Sequence, residues 1–140
     1  MYEIIKSAHS GWAYLVLIAL LIAVVISFLG MNSKKEFTPN DRKFALLGLI
    51  ATHLQLVIGL ILYFVSPLGL ASLGQMSDKA LRLTSLEHPF VNLLAIILIT
   101  AGWSKHKKAA ESHTKFKSIT IFYGIGLLLI LSRIPWSLWF

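Results

Sequence analysis

Four apolar runs dominate this chain: Ser10–Met31, Phe44–Ser66, His88–Ser104 and Ser118–Trp139. Each is about 17–25 residues long, enough to carry a helix across ~30 Å of hydrocarbon at ~1.5 Å per residue. In lipid a backbone must satisfy its own hydrogen bonds, and a continuous apolar segment does so as helix. A soluble fold of 140 residues at 56% hydrophobic composition has too little interior to hide that surface. The sequence therefore predicts an all-α chain, an integral membrane four-helix bundle of up-down-up-down topology. With flanking turns, the spans fall at about 8–31, 43–66, 86–104 and 117–139, within a single transmembrane domain over 1–140.

Charge fits the same picture. Lys and Arg number 13 against 6 Asp and Glu, for a net charge of +7. Nine of the 13 sit in two connections: Lys34, Lys35, Arg42 and Lys43 in the first, Lys105, Lys107, Lys108, Lys115 and Lys117 in the third. The rest are Lys6, Lys79, Arg82 and Arg133. The positive-inside rule accounts for this distribution without nucleic acid as a partner, and puts both loops in the cytoplasm and both termini outside. Glu3 precedes the first run and no small-residue cleavage site follows it, so that span is expected to be retained. Cysteine is absent, which excludes disulfides, thiolate metal sites, iron–sulfur clusters and covalent haem attachment.

Local signals mark the helix ends. Thr38-Pro39-Asn40-Asp41 reads as a stop and restart, with Asn40 or Asp41 capping the second helix. Ser77 is the expected N-cap of a short amphipathic surface helix. Pro89 fits only a first helical turn, so the third helix is expected to start near Leu86 or Glu87. Pro135 bends or ends the fourth. Trp12, Tyr14, Trp103, Trp136, Trp139 and Phe140 suit the headgroup level.

Two histidines head parallel spans. In such a bundle spans one and three are diagonal, and His9 and His88 lie at equal depth near the outer face. There two neutral imidazoles can hold one haem iron from opposite sides. His9, Ala13, Val16, Leu20, Ala23 and Ser27 share one face, as do His88, Asn92, Ala95, Ile99 and Gly102. Asn92 is placed to hydrogen-bond into the site. Arg133, on a face with Tyr123, Gly126 and Ile130, is a candidate partner for a haem propionate, ahead of Arg82 and Lys6. The plainer alternatives are interfacial histidines bonded to water and headgroups, and an Arg133 that snorkels.

The second span carries polar groups. Gly48, Thr52, Gln55 and Gly59 form a stripe suited to close helix packing, with an interhelical hydrogen bond from Gln55. His53, on its flank, lies about 15 Å in from Lys43 and about 10 Å deeper than His88. Together with Gln55 it is a candidate proton, quinone or alternative ligand site; a neutral histidine bonded across the bundle is the alternative. His106 and His113 are expected in a solvated loop.

At these residues the chain resembles a known family. HSGWAYLVL, THLQLVIGLILYFVSP and EHPFVNLLAIILITAGW are similar to small bacterial four-helix membrane proteins of the cytochrome b kind, and more distantly to one half of haem A synthase. There, too, a histidine heads one helix, a Q-x-x-x-G segment follows in the next, matched by Gln55 and Gly59, and a histidine heads the one after. The resemblance covers roughly spans one to three. It implies non-covalent haem b on His9 and His88, in the inner (cytoplasmic) membrane of a bacterium. Only one bundle is present, and the carboxylate-rich approach to the first histidine is reduced to Glu3, so haem-modifying catalysis does not carry over. The expected function is electron transfer, by a carrier rather than a catalyst, with a quinone or redox protein as partner. The alternative is a haem-free structural or assembly subunit of a larger membrane complex, with the Gly48, Thr52, Gln55 and Gly59 stripe and the terminal tryptophans Trp136 and Trp139 as contact surface.

Overall fold

The computed structural model describes residues 1–139, in which every regular element is helical. Phe140, the last of the expected aromatic anchors, lies outside the described residues. The helices are α1 (Tyr2–Ser33), α2 (Pro39–Val65), α3 (Lys79–Arg82), α4 (His88–Lys108), α5 (Ser112–Ser132) and α6 (Trp136–Trp139). α1, α2, α5 and the segment Lys79–Lys108 that contains α4 are each long and apolar enough to cross a membrane.

α1 packs against α2 and α5, and α4 packs against the same two. Partners run in opposite numerical order along these pairs. His9, Trp12 and Leu20 of α1 meet Gln55, Ala51 and Gly48 of α2. His88, Ile99 and Gly102 meet Arg133, Gly126 and Phe122. The faces anticipated from helical spacing turn inward: Val16, Leu20, Ala23 and Ser27 on α1, Ala95, Ile99 and Gly102 on α4, and Tyr123, Gly126 and Ile130 on α5 are buried. The outward faces are apolar as well, with Leu15, Ile18, Leu21, Leu60, Ile97 and Leu128 all exposed. Helices apolar on every side belong in a large core or in lipid.

Glycine permits the tightest approaches. A Cβ on Gly126 would come within 2.7 Å of the Ile99 side chain and 3.1 Å of the Ala95 carbonyl oxygen. Buried donors also tie helix to helix: the Tyr123 hydroxyl donates to the Ala45 carbonyl (2.7 Å) and the Trp12 indole to that of Ala51 (2.9 Å). Trp12 therefore turns into the bundle rather than toward headgroups. Trp103 is buried too, under the Arg42 guanidinium and against His106.

Four helix ends differ from expectation. Thr38, not Asn40 or Asp41, caps α2: Pro39 occupies the first turn, and Thr38 and Asp41 form a reciprocal capping box. Asp78, not Ser77, caps α3, its carboxylate accepting from the Ala80 and Leu81 amides. The third span does not begin at Leu86 or Glu87. Helical backbone runs from Lys79, and Leu83–Glu87 forms a π-turn that leads into α4. Pro89 has no amide hydrogen, so the Ser85 carbonyl four residues earlier lacks its helical donor. The Tyr63 hydroxyl of α2 donates to it instead, at 2.9 Å. A π-turn absorbs the proline ring here. The fourth helix ends at Ser132, ahead of Pro135 as expected but short of the 139 to which the span was drawn, because the residue before Pro135 is driven out of helical geometry.

Gly126→Ala is expected to lower stability by about 1–3 kcal/mol, since Ile99 and the α4 backbone must give way. Gly124→Ala, which meets nothing within 4 Å, should be neutral or slightly stabilising. Tyr63→Phe strands the Ser85 carbonyl and is expected to cost about 1–3 kcal/mol. Unfolding midpoints of detergent-solubilised variants measure all three.

Candidate functional site

The end of α5 explains how His88 is held. A helix leaves its last carbonyls without intrahelical donors. Here each finds another donor. The Leu129 carbonyl accepts from the Ser132 hydroxyl, that of Ile130 from the Arg133 amide, and that of Leu131 from the Trp136 indole. The Ser132 carbonyl accepts from the Arg133 guanidinium. The Arg133 carbonyl lies 2.8 Å from His88 Nδ1. A carbonyl can only accept, so Nδ1 carries the ring proton and Nε2 keeps a free lone pair. Asn92 Nδ2 is 3.2 Å from the same Nδ1; with both groups donors, its effective bond is to the His88 carbonyl at 2.7 Å. Asn92 thus braces the backbone of His88 rather than its ring.

His9 lies in the third turn of α1, opposite α2. Gln55 Nε2 donates to the His9 carbonyl at 2.8 Å, the interhelical bond expected of Gln55. Gly59, one turn on, faces the imidazole: a Cβ there would lie 3.1 Å from His9 Cε1. His9 Nδ1 and Gln55 Oε1 are buried and lack hydrogen-bond partners. In apolar surroundings an unpartnered polar atom is costly and calls for an explanation. Gly48 and Thr52 complete the stripe, Gly48 against Leu20 and Tyr123, Thr52 buried with its hydroxyl on the Leu49 carbonyl. Gly48 and Thr52 are buried and Gln55 and Gly59 half-buried, so most of this stripe packs within the chain.

The two imidazoles lie next to each other in a T-shaped, edge-on arrangement. Their ring centroids are 6.1 Å apart and their planes cross at 86°. Sequence spacing anticipated this meeting of His9 and His88 from helices that share the same two neighbours. Among the described residues no group of three or more His, Asp or Glu is placed to hold a metal ion. Whatever metal this pair bound would bring its other ligands with it.

Beside His88 stands an ion triad that sequence reasoning did not foresee. Glu87 accepts from Arg82 Nε at 2.9 Å and lies 3.7 Å from Arg133 Nε. Arg82 also holds the Met76 carbonyl, at 3.0 Å. Both arginines were singled out by sequence, but Glu87 as their shared partner was not. Its position next to His88, five residues from Arg82 through a distorted turn, gave no regular helical spacing to find it by. Lys6 pairs with Glu3 at 3.6 Å.

His53 is exposed. Its Nδ1 bonds the Leu49 carbonyl of its own helix at 2.8 Å, and Nε2 lies 3.4 Å from the Thr100 hydroxyl of α4. The structure does not bring it to the His9–His88 pair by any hydrogen bond or ring contact. His106 is not a solvated loop residue. It is buried at the end of α4, its ring against Trp103 and Phe37 and its Nδ1 donating to the Trp103 carbonyl at 2.6 Å. α4 runs one turn further than the apolar run, and that turn carries His106 inward. His113 is exposed, as expected.

Protein-family models, curated proteins and solved structures contain no match to this chain.

Nitrogen-15 NMR of ring-labelled, metal-free protein is expected to give a protonated Nδ1 and a bare Nε2 for His88. A protonated Nε2 would show that Arg133 does not hold the ring.

Proposed function

We propose that this chain is a b-type haem protein of a bacterial inner membrane, with His9 and His88 as the two axial ligands. The observation that carries the proposal is the spacing of the imidazoles. A metal–nitrogen bond of about 2 Å on each side, plus about 1 Å from nitrogen to ring centre, puts two axial rings roughly 6 Å apart. The rings stand at 6.1 Å. A porphyrin brings four equatorial nitrogens, so two protein donors suffice, and two are what this end of the bundle provides.

The polar atoms around the pair fit the group. His88 keeps its Nε2 lone pair because the Arg133 carbonyl holds its Nδ1 proton, the arrangement that orients a ligating histidine and raises its basicity. His9, with one ring nitrogen buried and unpartnered, has donor capacity to spare. Gly59 leaves room for its ring to settle. Arg82 and Arg133 place two guanidinium groups beside His88, where propionate carboxylates would compete with Glu87 for them. Bound haem supplies one-electron chemistry; the chain holds it, orients the ligands and keeps water away.

Sequence and packing together support one placement in the membrane. Opposed numbering along the helix pairs, with four spans, reads as up-down-up-down. Loops rich in Lys and Arg then lie in the cytoplasm, and the His9–His88 end, with both termini, faces outward. His53 and Thr100 offer a polar contact on an otherwise apolar outer face, suited to a quinone partner. A haem-free subunit of a larger complex is the alternative function; most of the stripe that would serve it packs against α1 and α5, which leaves the terminal tryptophans as its contact surface.

Purified protein is expected to show a Soret band that shifts on dithionite reduction. His9→Ala and His88→Ala should each lose it while keeping their helical circular dichroism; His113→Ala should keep it. An intact band in either ligand variant removes that histidine from the site. Gly59→Val, which drives a side chain into the His9 ring, should weaken haem retention by about tenfold or more.

A further inference from the structure

At the other end of the helices lies a second candidate site, a depression open to the surroundings. A cavity of about 480 Å³ is walled by Phe37, Pro39, Arg42, His106, Lys107 and Lys115. Three of these residues are cations and none is an acid. Arg42 is braced over the Trp103 ring, its guanidinium carbon 5.1 Å from the centroid. Lys115 donates to the His106 carbonyl at 2.9 Å and sits over Phe37. Both cations are thus fixed in place by neutral groups.

No carboxylate among the described residues comes within ion-pair distance of Arg42, Lys107 or Lys115. Asp41, next to Arg42, is already committed to Lys35 and to the amide and hydroxyl of Thr38. Glu36 and Glu111 are exposed and pair with none of the three. Lys6, Lys35, Arg82 and Arg133 have acid partners, whereas the three cavity cations, like the other lysines of the described residues, have none. Three unneutralised cations around one cavity repel each other, and an anion inside would relieve that repulsion. The start of α2, at Thr38 and Pro39, adds its positive helix end to the same wall.

We infer that this cavity binds a phosphate-bearing anion. The volume lies within the range of small-ligand pockets, large enough for a phosphate with a substituent. Arg42, Lys107 and Lys115 supply the charge-assisted hydrogen bonds, and Phe37 and Pro39 line the apolar side. Two sources carry this chemistry at the end of a membrane helix: an anionic phospholipid headgroup and free phosphate. Basic pockets between spanning helices on the cytoplasmic side bind such headgroups.

The test uses the full chain in detergent. Phosphatidylglycerol and phosphatidylcholine are titrated by native mass spectrometry, and inorganic phosphate by phosphorus-31 line broadening. Arg42→Gln/Lys115→Gln is compared with Lys43→Gln/Lys117→Gln, which removes the same charge outside the cavity. Phosphatidylglycerol is expected to bind more tightly than phosphatidylcholine, and the cavity pair to weaken it about 30-fold, roughly fivefold per cation. The outside pair should leave it unchanged. Lys107→Gln, which breaks no internal bond, should weaken it about fivefold and decides the matter if the double variant misfolds. Inorganic phosphate binding with the same dependence on these residues, without lipid preference, identifies free phosphate as the ligand. Equal losses from both double variants, or no binding of either anion, would overturn the inference.

Discussion

Two prolines, Pro89 and Pro135, leave carbonyl groups at the His9–His88 end of the bundle without amide donors, and apolar surroundings supply no water in their place. Side chains must fill the gap. Tyr63 answers the carbonyl stranded by Pro89, and His88 answers one of those freed where α5 stops ahead of Pro135. That second bond does more than satisfy a carbonyl. It settles which nitrogen of His88 is protonated, and so which one can meet a metal. Backbone bookkeeping and ligand chemistry are therefore one interaction at this end of the molecule.

The two ends of the bundle are built for opposite charges of task. At one end three cations have acid partners: Glu87 lies between Arg82 and Arg133, and Glu3 beside Lys6. The His9–His88 pair lies beside that ion triad. At the other end Arg42, Lys107 and Lys115 are left without acids around an open cavity. Close packing in between, through Gly126 on Ile99 and Gly30 on Phe116, keeps the two ends at a fixed separation.

Much of this was legible in the sequence. Length and hydropathy gave the four helices, and helical spacing gave their inward faces through Val16, Leu20, Ala95, Ile99 and Tyr123. The meeting of His9 and His88 followed from two equal offsets at the heads of alternate spans. Helix ends were harder. Pro89 reads as a start signal because a regular α-helix cannot accept it, yet a π-turn and one tyrosine hydroxyl from another helix accommodate it. Both are long-range solutions that local rules do not contain. His106 was misplaced for a related reason: a run of lysines reads as loop, while the helix continues one turn and buries the one ring among them. Glu87 escaped notice because its arginines come from before the π-turn and after α5.

The central claim is that one iron sits between the two imidazoles, whose planes cross at nearly a right angle. Electron paramagnetic resonance of the oxidised, purified protein tests it most directly. Two axial imidazoles in crossed planes give low-spin ferric haem with a strongly anisotropic signal, and that is the result expected. A high-spin signal, from iron held by one histidine, or no ferric haem signal in protein made by haem-replete cells, would contradict the account.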